Sequence, residues 1–285
     1  MFSFLKNTKA VAEVTAAAAT PISNGAYSVT DTVLMCGENI NLSYDGRKIL
    51  ENVSFQIKDI SRPGFNQGQV VSLVGQSGIG KSQLFKIIAG LNRLTHPNSG
   101  RVLIGPDQHP VRAGEVGIVY QNYPLFEHRT IRKNLMLAGS KNAGLMEAYC
   151  EKFNLTQHLD KYPAQLSGGQ RQRVSIVQQI LTGNQFILLD EPFSGLDCVM
   201  VDKLSAIIRQ ISQENEYNTF IIISHDLEAS LALSDTAYIL AKPTPESGAT
   251  IVKTIDLAAM GLAWQEDIKD RPEFRSLLNE IKTII

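Results

Sequence analysis

Residues 70–91 read VVSLVGQSGIGKSQLFKIIAGL, and three textures in that stretch decide the fold. Val70 to Val74 is a short, continuously apolar run of strand type. GQSGIGKS, from Gly75 to Ser82, then matches G-x-x-x-x-G-K-[ST]. That pattern places glycines where backbone amides must close around phosphate oxygens and a lysine where it reaches the terminal phosphates. Leu84, Ile87, Ile88 and Leu91 follow at helical spacing. Strand, glycine loop and helix thus come in the order a phosphate site requires, and the helix N-terminus adds free amides and positive dipole to hold an anion. The expected nucleotide-binding set is Gly75, Gln76, Ser77, Gly78, Ile79, Gly80, Lys81 and Ser82. The amides around Gly78, Gly80 and Lys81 cradle the phosphates, the Lys81 ammonium neutralises the β and γ groups, and the Ser82 hydroxyl ligates magnesium.

The rest of the chain bounds that reading. At 285 residues, 44% hydrophobic and 19% charged, it is long enough for one large or two small domains with a packed core. A formal charge of -1 with no block of Lys or Arg offers no footprint of a general nucleic-acid binder, so no nucleic-acid partner is expected. Cys36, Cys150 and Cys198 lie far apart without a C-x-x-C pair, which reads as reduced thiols. No stretch approaches the apolar length that crosses a bilayer, so any membrane role must come through a partner. Residues 1–36 read as a flexible N-terminal extension.

From Gly37 onward, strand-like runs occur at ENINLSY, ILENVSFQI, VVSLVG, RVLIG, VGIVYQ, FILLDE, TFIIISH and TAYILA, with helical patterns between the later ones. This alternation predicts an α/β domain with a largely parallel sheet over residues 37–257. Phe186 to Leu189 and Phe220 to Ile223 are continuously apolar, as central strands covered on both faces should be. Residues from about 122 to 172 interrupt the strands with helical material and read as an inserted helical subdomain. Asp59 to Gln69 reads as a turn-rich, solvent-exposed loop. Residues 258–285 read as a C-terminal helical tail whose Phe274, Leu277, Leu278, Ile281 and Ile285 share one face.

Two more elements carry chemistry. FILLD ends in Asp190 and Glu191 at the carboxyl edge of a buried strand, where open α/β sheets bind their ligands. Asp190 suits the magnesium side of the site, because that cation needs hard oxygen ligands. Glu191, facing another way, suits orienting or deprotonating an attacking water. LSGGQRQR, from Leu166 to Arg173, combines a Ser, two glycines and a following helix, and so offers both an N-cap at Ser167 and a second anion-binding helix start.

The ordered set GQSGIGKS, Gln121 after VGIVY, LSGGQ, FILLDE, SGLD at Ser194 to Asp197, and His225 in IIISHD resembles the nucleotide-binding domain of ABC transporters from Glu38 to Ala241. The resemblance implies a P-loop NTPase core with an antiparallel β subdomain and an inserted helical subdomain. It further implies a head-to-tail dimer with two ATP molecules held between the phosphate loop of one protomer and the LSGGQ of the other. Ser167, Gly168, Gly169 and Gln170 would then face the partner's nucleotide and Asp197 the opposite site, while Tyr44 would stack on adenine. Gln121 would link the magnesium and water site to the helical subdomain, and His225 would act on the γ-phosphate. ATP and Mg2+ are therefore the expected ligands, with Ser82, Gln121 and Asp190 on the metal and Glu191, His225 and Gln121 catalytic.

A lone domain of this kind looks like an importer subunit. Its implied partners are integral-membrane permease subunits, a second ATP-binding subunit and an extracytoplasmic solute-binding protein, and its implied place is peripheral, on the cytoplasmic face of the inner membrane. The surroundings of Gln121 and His225 are similar to ATPases of nitrate, sulfonate and taurine importers. Val177, Gln178 and Gln179 stand where many relatives carry Ala-Arg-Ala. A soluble ABC-type ATPase of assembly or repair is the alternative. A phosphoryl-transfer kinase or a regulatory module without turnover leaves LSGGQ or Glu191 and His225 without a role.

Overall fold

Val70 to Val74 form a strand whose two faces are both buried, which is why the run has no polar alternation. The computed structural model describes residues 27–61, 68–92, 94–96, 98–138, 143–214, 218–265 and 267–285. Its strands are β1 (Ser28–Tyr44), β2 (Arg47–Ser61), β3 (Gln69–Val74), β4 (Ser99–Ile104), β5 (His109–Pro110), β6 (Val116–Val119), β7 (Phe186–Asp190), β8 (Thr219–Ser224), β9 (Thr236–Ala241) and β10 (Thr250–Asp256). The helices are α1 (Lys81–Ile88), α2 (Ile131–Met136), α3 (Ala143–Lys152), α4 (Gly168–Leu181), α5 (Cys198–Glu214), α6 (Leu227–Leu233) and α7 (Pro272–Ile284).

The larger sheet runs β10-β9-β3-β8-β7-β6, parallel except for β10, and the smaller one runs β2-β1-β4-β5, antiparallel throughout. Successive side chains of the central strands serve opposite cores. Val70, Val74, Ile187, Leu189, Phe220 and Ile222 enter the cluster shared with α4, α5, α6 and α7. Val71, Leu73, Phe186, Leu188, Ile221 and Ile223 enter the cluster shared with α1 and the small sheet. Each such buried side chain contributes about 1.5–3 kcal/mol of transfer free energy. Burial on both faces thus fixes these strands at the centre.

Three expectations need correction. The N-terminal extension does not reach residue 36: β1 begins at Ser28, pairs Ser28 with Ser61, and buries Met35 and Cys36. The first half of that strand is mostly exposed and rich in Ser, Thr and Asp, so it lacks the apolar signal of a strand. Residues 1–26 lie outside the described residues. The turn-rich stretch is also shorter at both ends, since β2 continues through Asp59 to Ser61 and Gln69 opens β3, while residues 62–67 are outside the described residues. Finally, β10 was absent from the strand pattern, because it lies at the sheet edge with Val252 and Thr254 exposed and Ile255 alone fully buried, and so shows no continuous apolar run.

Residues 122–172 hold α2, α3, two 3-10 turns and the start of α4, with Ile131, Leu135, Cys150 and Phe153 buried in the same cluster as β7. In α7, Phe274, Leu277, Leu278 and Ile281 are buried against that cluster too, with Ile285 packed at its margin. Among the described residues no helix is long and apolar enough to cross a membrane, and all three cysteines are free thiols.

Candidate active site

The parallel register brings three strand ends to one place. Val74 of β3 pairs with Ser224 of β8, and Asp190 of β7 pairs with Ile223 of β8. The residues that follow these positions, Gly75, Glu191 and His225, therefore emerge together at the carboxyl edge.

The phosphate loop is shaped by close approach and by left-handed backbone. A Cβ on Gly75 would stand 2.4 Å from the Leu240 carbonyl oxygen of β9, so only glycine lets the loop lie against that strand. Gly78 and Gly80 have φ of 77° and 114°, a region that costs any other residue. Gly80 hands the chain to α1, whose first residue, Lys81, is only 6% exposed. Its ammonium donates to the carbonyls of Gly75 at 2.8 Å and Gln76 at 3.0 Å, and Glu191 Oε1 lies 3.8 Å away. Burial pushes the Lys81 pKa down, against the pull of Glu191 and Asp190. Ser82 is exposed in the first turn of α1.

The acidic pair answers from β7. Burial pushes the Asp190 carboxyl up, Glu191 adds to this, and Lys81 opposes it. Glu191 sits at φ 48°, strained for a side chain of its kind. Its Oε2 accepts from Ser224 Oγ at 3.0 Å and from the His225 backbone amide at 3.2 Å, and His225 Nδ1 stands 2.8 Å away. A carboxylate only accepts, so Nδ1 carries the proton in that contact and Nε2 points elsewhere. The cluster thus holds a cation short of favourable hydration beside two crowded carboxylates. A divalent cation and a polyanion would complement it, and the Asp190 carboxylate with the Ser82 hydroxyl and the Gln121 amide offers the hard oxygen atoms that magnesium prefers, so the residues fit that ion. Among the described residues, no group of three or more His, Cys, Asp or Glu could hold a metal on its own.

The remaining expected residues fall into two groups. Gln121 follows β6 and donates to Ser194 Oγ at 3.3 Å; Ser194 N in turn donates to the Glu191 carbonyl at 3.2 Å, so Gln121 is tied to the turn behind the acidic pair. Tyr44 ends β1 beside α1, its hydroxyl donating to Gln83 Oε1 at 3.2 Å. By contrast, no hydrogen bond among the described residues joins Ser167, Gly168 or Gly169 to the phosphate loop. Ser167 caps α4, accepting from Gln170 N at 3.3 Å, while Ser167 N donates to Gln170 Oε1 at 2.9 Å. The Gln170 side chain is therefore occupied by this reciprocal cap and by His158, whose Nε2 is 3.1 Å from Gln170 Nε2. Asp197 caps α5 through Met200 N at 2.9 Å, and Gly169 faces Met200 and Leu196 across that junction.

Sequence reasoning passed over Ser224, Ser194 and His158. Ser224 stood inside the quoted IIISHD, and a hydroxyl one residue before the histidine at a strand end was a signal for a carboxylate partner. His158 had none, because its contact with Gln170 is made by the fold. Val177 is buried, Gln178 Nε2 donates to the Asn134 carbonyl at 3.1 Å, and Gln179 Oε1 accepts from Ile118 N at 3.2 Å.

Known proteins resemble this chain in sequence and in fold. The family model described as ABC transporter matches residues 57–194. The spermidine/putrescine import ATP-binding protein PotA of Spiroplasma citri is 37% identical over 71% of this chain. The sulfate/thiosulfate import ATP-binding protein CysA of Synechococcus elongatus is 37% identical over 66% of it, and the bicarbonate transport ATP-binding protein CmpC of the same species is 34% identical over 75%. The chain spans 57%, 56% and 33% of the lengths of those three relatives. Among solved structures, cbiO1 from Clostridium perfringens, part of the ABC transporter complex cbiONQ, superposes with a TM-score of 0.67 at 22% identity, covering 89% of this chain and 99% of its own. A nucleotide-free ATP-binding cassette from an ABC transporter superposes with a TM-score of 0.63 at 20% identity, covering 86% and 98%.

Proposed function

We propose, from the premise that this chain carries an ABC transporter ATP-binding domain, that it hydrolyses ATP to power import of a solute through a separate integral-membrane permease. The observation that carries this reading is the convergence of Lys81, Glu191 and His225 at three adjacent strand ends. Lys81 lies where it would exchange its two loop carbonyls for β- and γ-phosphate oxygens. Glu191, with one oxygen held by Ser224 and His225, keeps the other available to orient or deprotonate water. His225 is exposed and fixed through Nδ1, which leaves Nε2 for the γ-phosphate. Ser82, Gln121 and Asp190 would hold a magnesium ion, whose positive charge would offset the charge of the phosphates.

The α4 start supports a dimer. Ser167, Gly168 and Gly169 present a capped helix N-terminus whose hydrogen bonds are all made within the helical segment. That anion site would be completed by the phosphate loop of a second ATP-binding subunit. ATP closing such a dimer and hydrolysis reopening it would drive the permease through differential affinity for two states. The relatives named above are named for spermidine/putrescine import, sulfate/thiosulfate import and bicarbonate transport. Two of the three carry anions, which supports an anionic cargo, such as nitrate or a sulfonate, delivered by an extracytoplasmic solute-binding protein. The subunit then sits peripherally on the cytoplasmic face of the inner membrane.

The test is Glu191→Gln. It should bind MgATP with wild-type affinity in calorimetry while phosphate release falls about 10²–10⁴-fold, the range of a lost general base. Unchanged turnover would remove Glu191 from catalysis. Isolating the same variant from detergent-solubilised membranes with ATP and magnesium should recover a multi-spanning permease. Recovery of soluble partners alone would favour an assembly or repair ATPase instead.

A further inference from the structure

Tyr44 is 46% exposed, yet its hydroxyl is engaged on both sides. It donates to Gln83 Oε1 at 3.2 Å and accepts from Asn92 Nδ2 at 3.4 Å. An exposed tyrosine ordinarily satisfies its hydroxyl with water and samples several rotamers. Here both partners belong to the phosphate-loop helix and its exit. Gln83 follows Ser82 in the first turn of α1. Asn92 lies just past its C-terminus, where Leu91 N and Asn92 N donate to the Lys86 carbonyl at 2.8 and 3.1 Å. Gly90 makes that reversal possible: its φ is 69°, and a Cβ there would meet the Arg112 carbonyl carbon at 2.6 Å.

The hairpin that carries Tyr44 is also seated on the loop. Beyond its turn, Ile49 Cγ2 and Leu50 Cδ2 lie 3.2 and 3.1 Å from where a Cβ on Gly80 would stand. The hairpin thus meets the phosphate loop through Ile49 and Leu50, and the two bonds of the Tyr44 hydroxyl bridge the beginning of α1 to its exit.

We propose that Gln83 and Asn92 are positioning residues that hold the Tyr44 ring as a preformed platform for the nucleobase. The proposal rests on the ATP-binding reading above and names what makes its base subsite rigid. Both act through the phenol oxygen. Stacking on a ring that is already ordered avoids the cost of immobilising it on binding.

The experiment is a calorimetric double-mutant cycle on the full chain with MgATP: wild type, Gln83→Leu, Tyr44→Phe and the pair. Each single change should weaken binding about two- to tenfold, the ordering cost of one side chain. The pair should be no weaker than Tyr44→Phe alone, because that change already removes the bond that Gln83 makes. Asn92→Leu, at a different point of the chain, should give a loss in the same range and likewise add nothing to Tyr44→Phe. Unaltered affinity in the single variants, or losses that add in the pairs, would overturn the latch, since a general disturbance of α1 acts whether or not the hydroxyl is present. Wild-type protein that binds no MgATP would overturn the nucleotide reading and the latch with it. Wild-type binding with indifferent variants would overturn the latch alone.

Discussion

Lys81 is a charge held where charge is costly. Its ammonium is buried, its pKa is pushed down by that burial, and its two hydrogen bonds go to loop carbonyls rather than to a full counter-ion. Glu191 at 3.8 Å and Asp190 beyond it offset part of the cost, yet Asp190 is itself pushed toward neutrality by burial and by Glu191. Polyphosphate and a divalent cation would relieve both strains together. Lys81→Ala should therefore abolish measurable MgATP binding in calorimetry while the protein stays folded, because the substitution removes a desolvated ammonium as well as a ligand. Retained affinity would mean that the backbone cradle suffices. At this scale the sequence was most legible: Gly75 to Ser82, Asp190, Glu191 and His225 lie in short motifs whose chemistry is local. Ser224 and the Gln83–Asn92 pair were not, since each acts on a residue at least a strand or a helix away in the chain.

Among the elements, α4 ties the helical segment to the large sheet. Its start is secured by the Ser167–Gln170 reciprocal cap, and its last turns place Gln179 Oε1 on the outward amide of Ile118. That amide belongs to β6, an edge strand with no neighbour on that side, so Gln179 supplies the acceptor a further strand would have given. The departure at Gln178 and Gln179 is thus polar pinning of α4 to α2 and β6, and periodicity cannot display such contacts because both partners are backbone groups. Ser167→Ala should lower unfolding free energy by about 0.5–2 kcal/mol, measured in urea, through loss of the cap. His158 gives the same region a pH dependence. Burial, then the charges of Lys161 and Arg173, push its pKa below the ordinary 6.5, so the folded chain keeps it neutral where the unfolded chain takes up a proton. Its contribution is present above pH 6.5 and is lost as pH falls through the depressed value. The urea midpoint of the wild type should fall more between pH 7.5 and 5.5 than that of His158→Gln, which offers Gln170 an acceptor that does not titrate. Equal falls would take His158 out of the acid response.

For the molecule as a whole, the question is whether residues 258–285 are a tail or a wall of the core. The sequence pattern gave the helix and its apolar face, because Phe274, Leu277, Leu278 and Ile281 repeat with the helical period. What covers that face depends on the path of the chain between β9 and α7, which no local pattern encodes. In the structure the face closes the same apolar cluster that receives α4, α5, α6 and the central strands. Phe274 is completely buried there, and Trp264, the chain's single tryptophan, is nearly so. A shared core unfolds as one unit when no intermediate is populated. Phe274→Ala should therefore cost about 3–5 kcal/mol, as large-to-small changes in cores do. The loss should shift the Trp264 fluorescence transition and the disappearance of MgATP binding to the same lower denaturant concentration. If Trp264 instead became exposed while nucleotide binding persisted, α7 would be a separable unit resting on the domain. Coincident transitions would make the helix a structural part of the sheet that aligns Lys81, Glu191 and His225. Its burial would then sustain the site from the far face of that sheet.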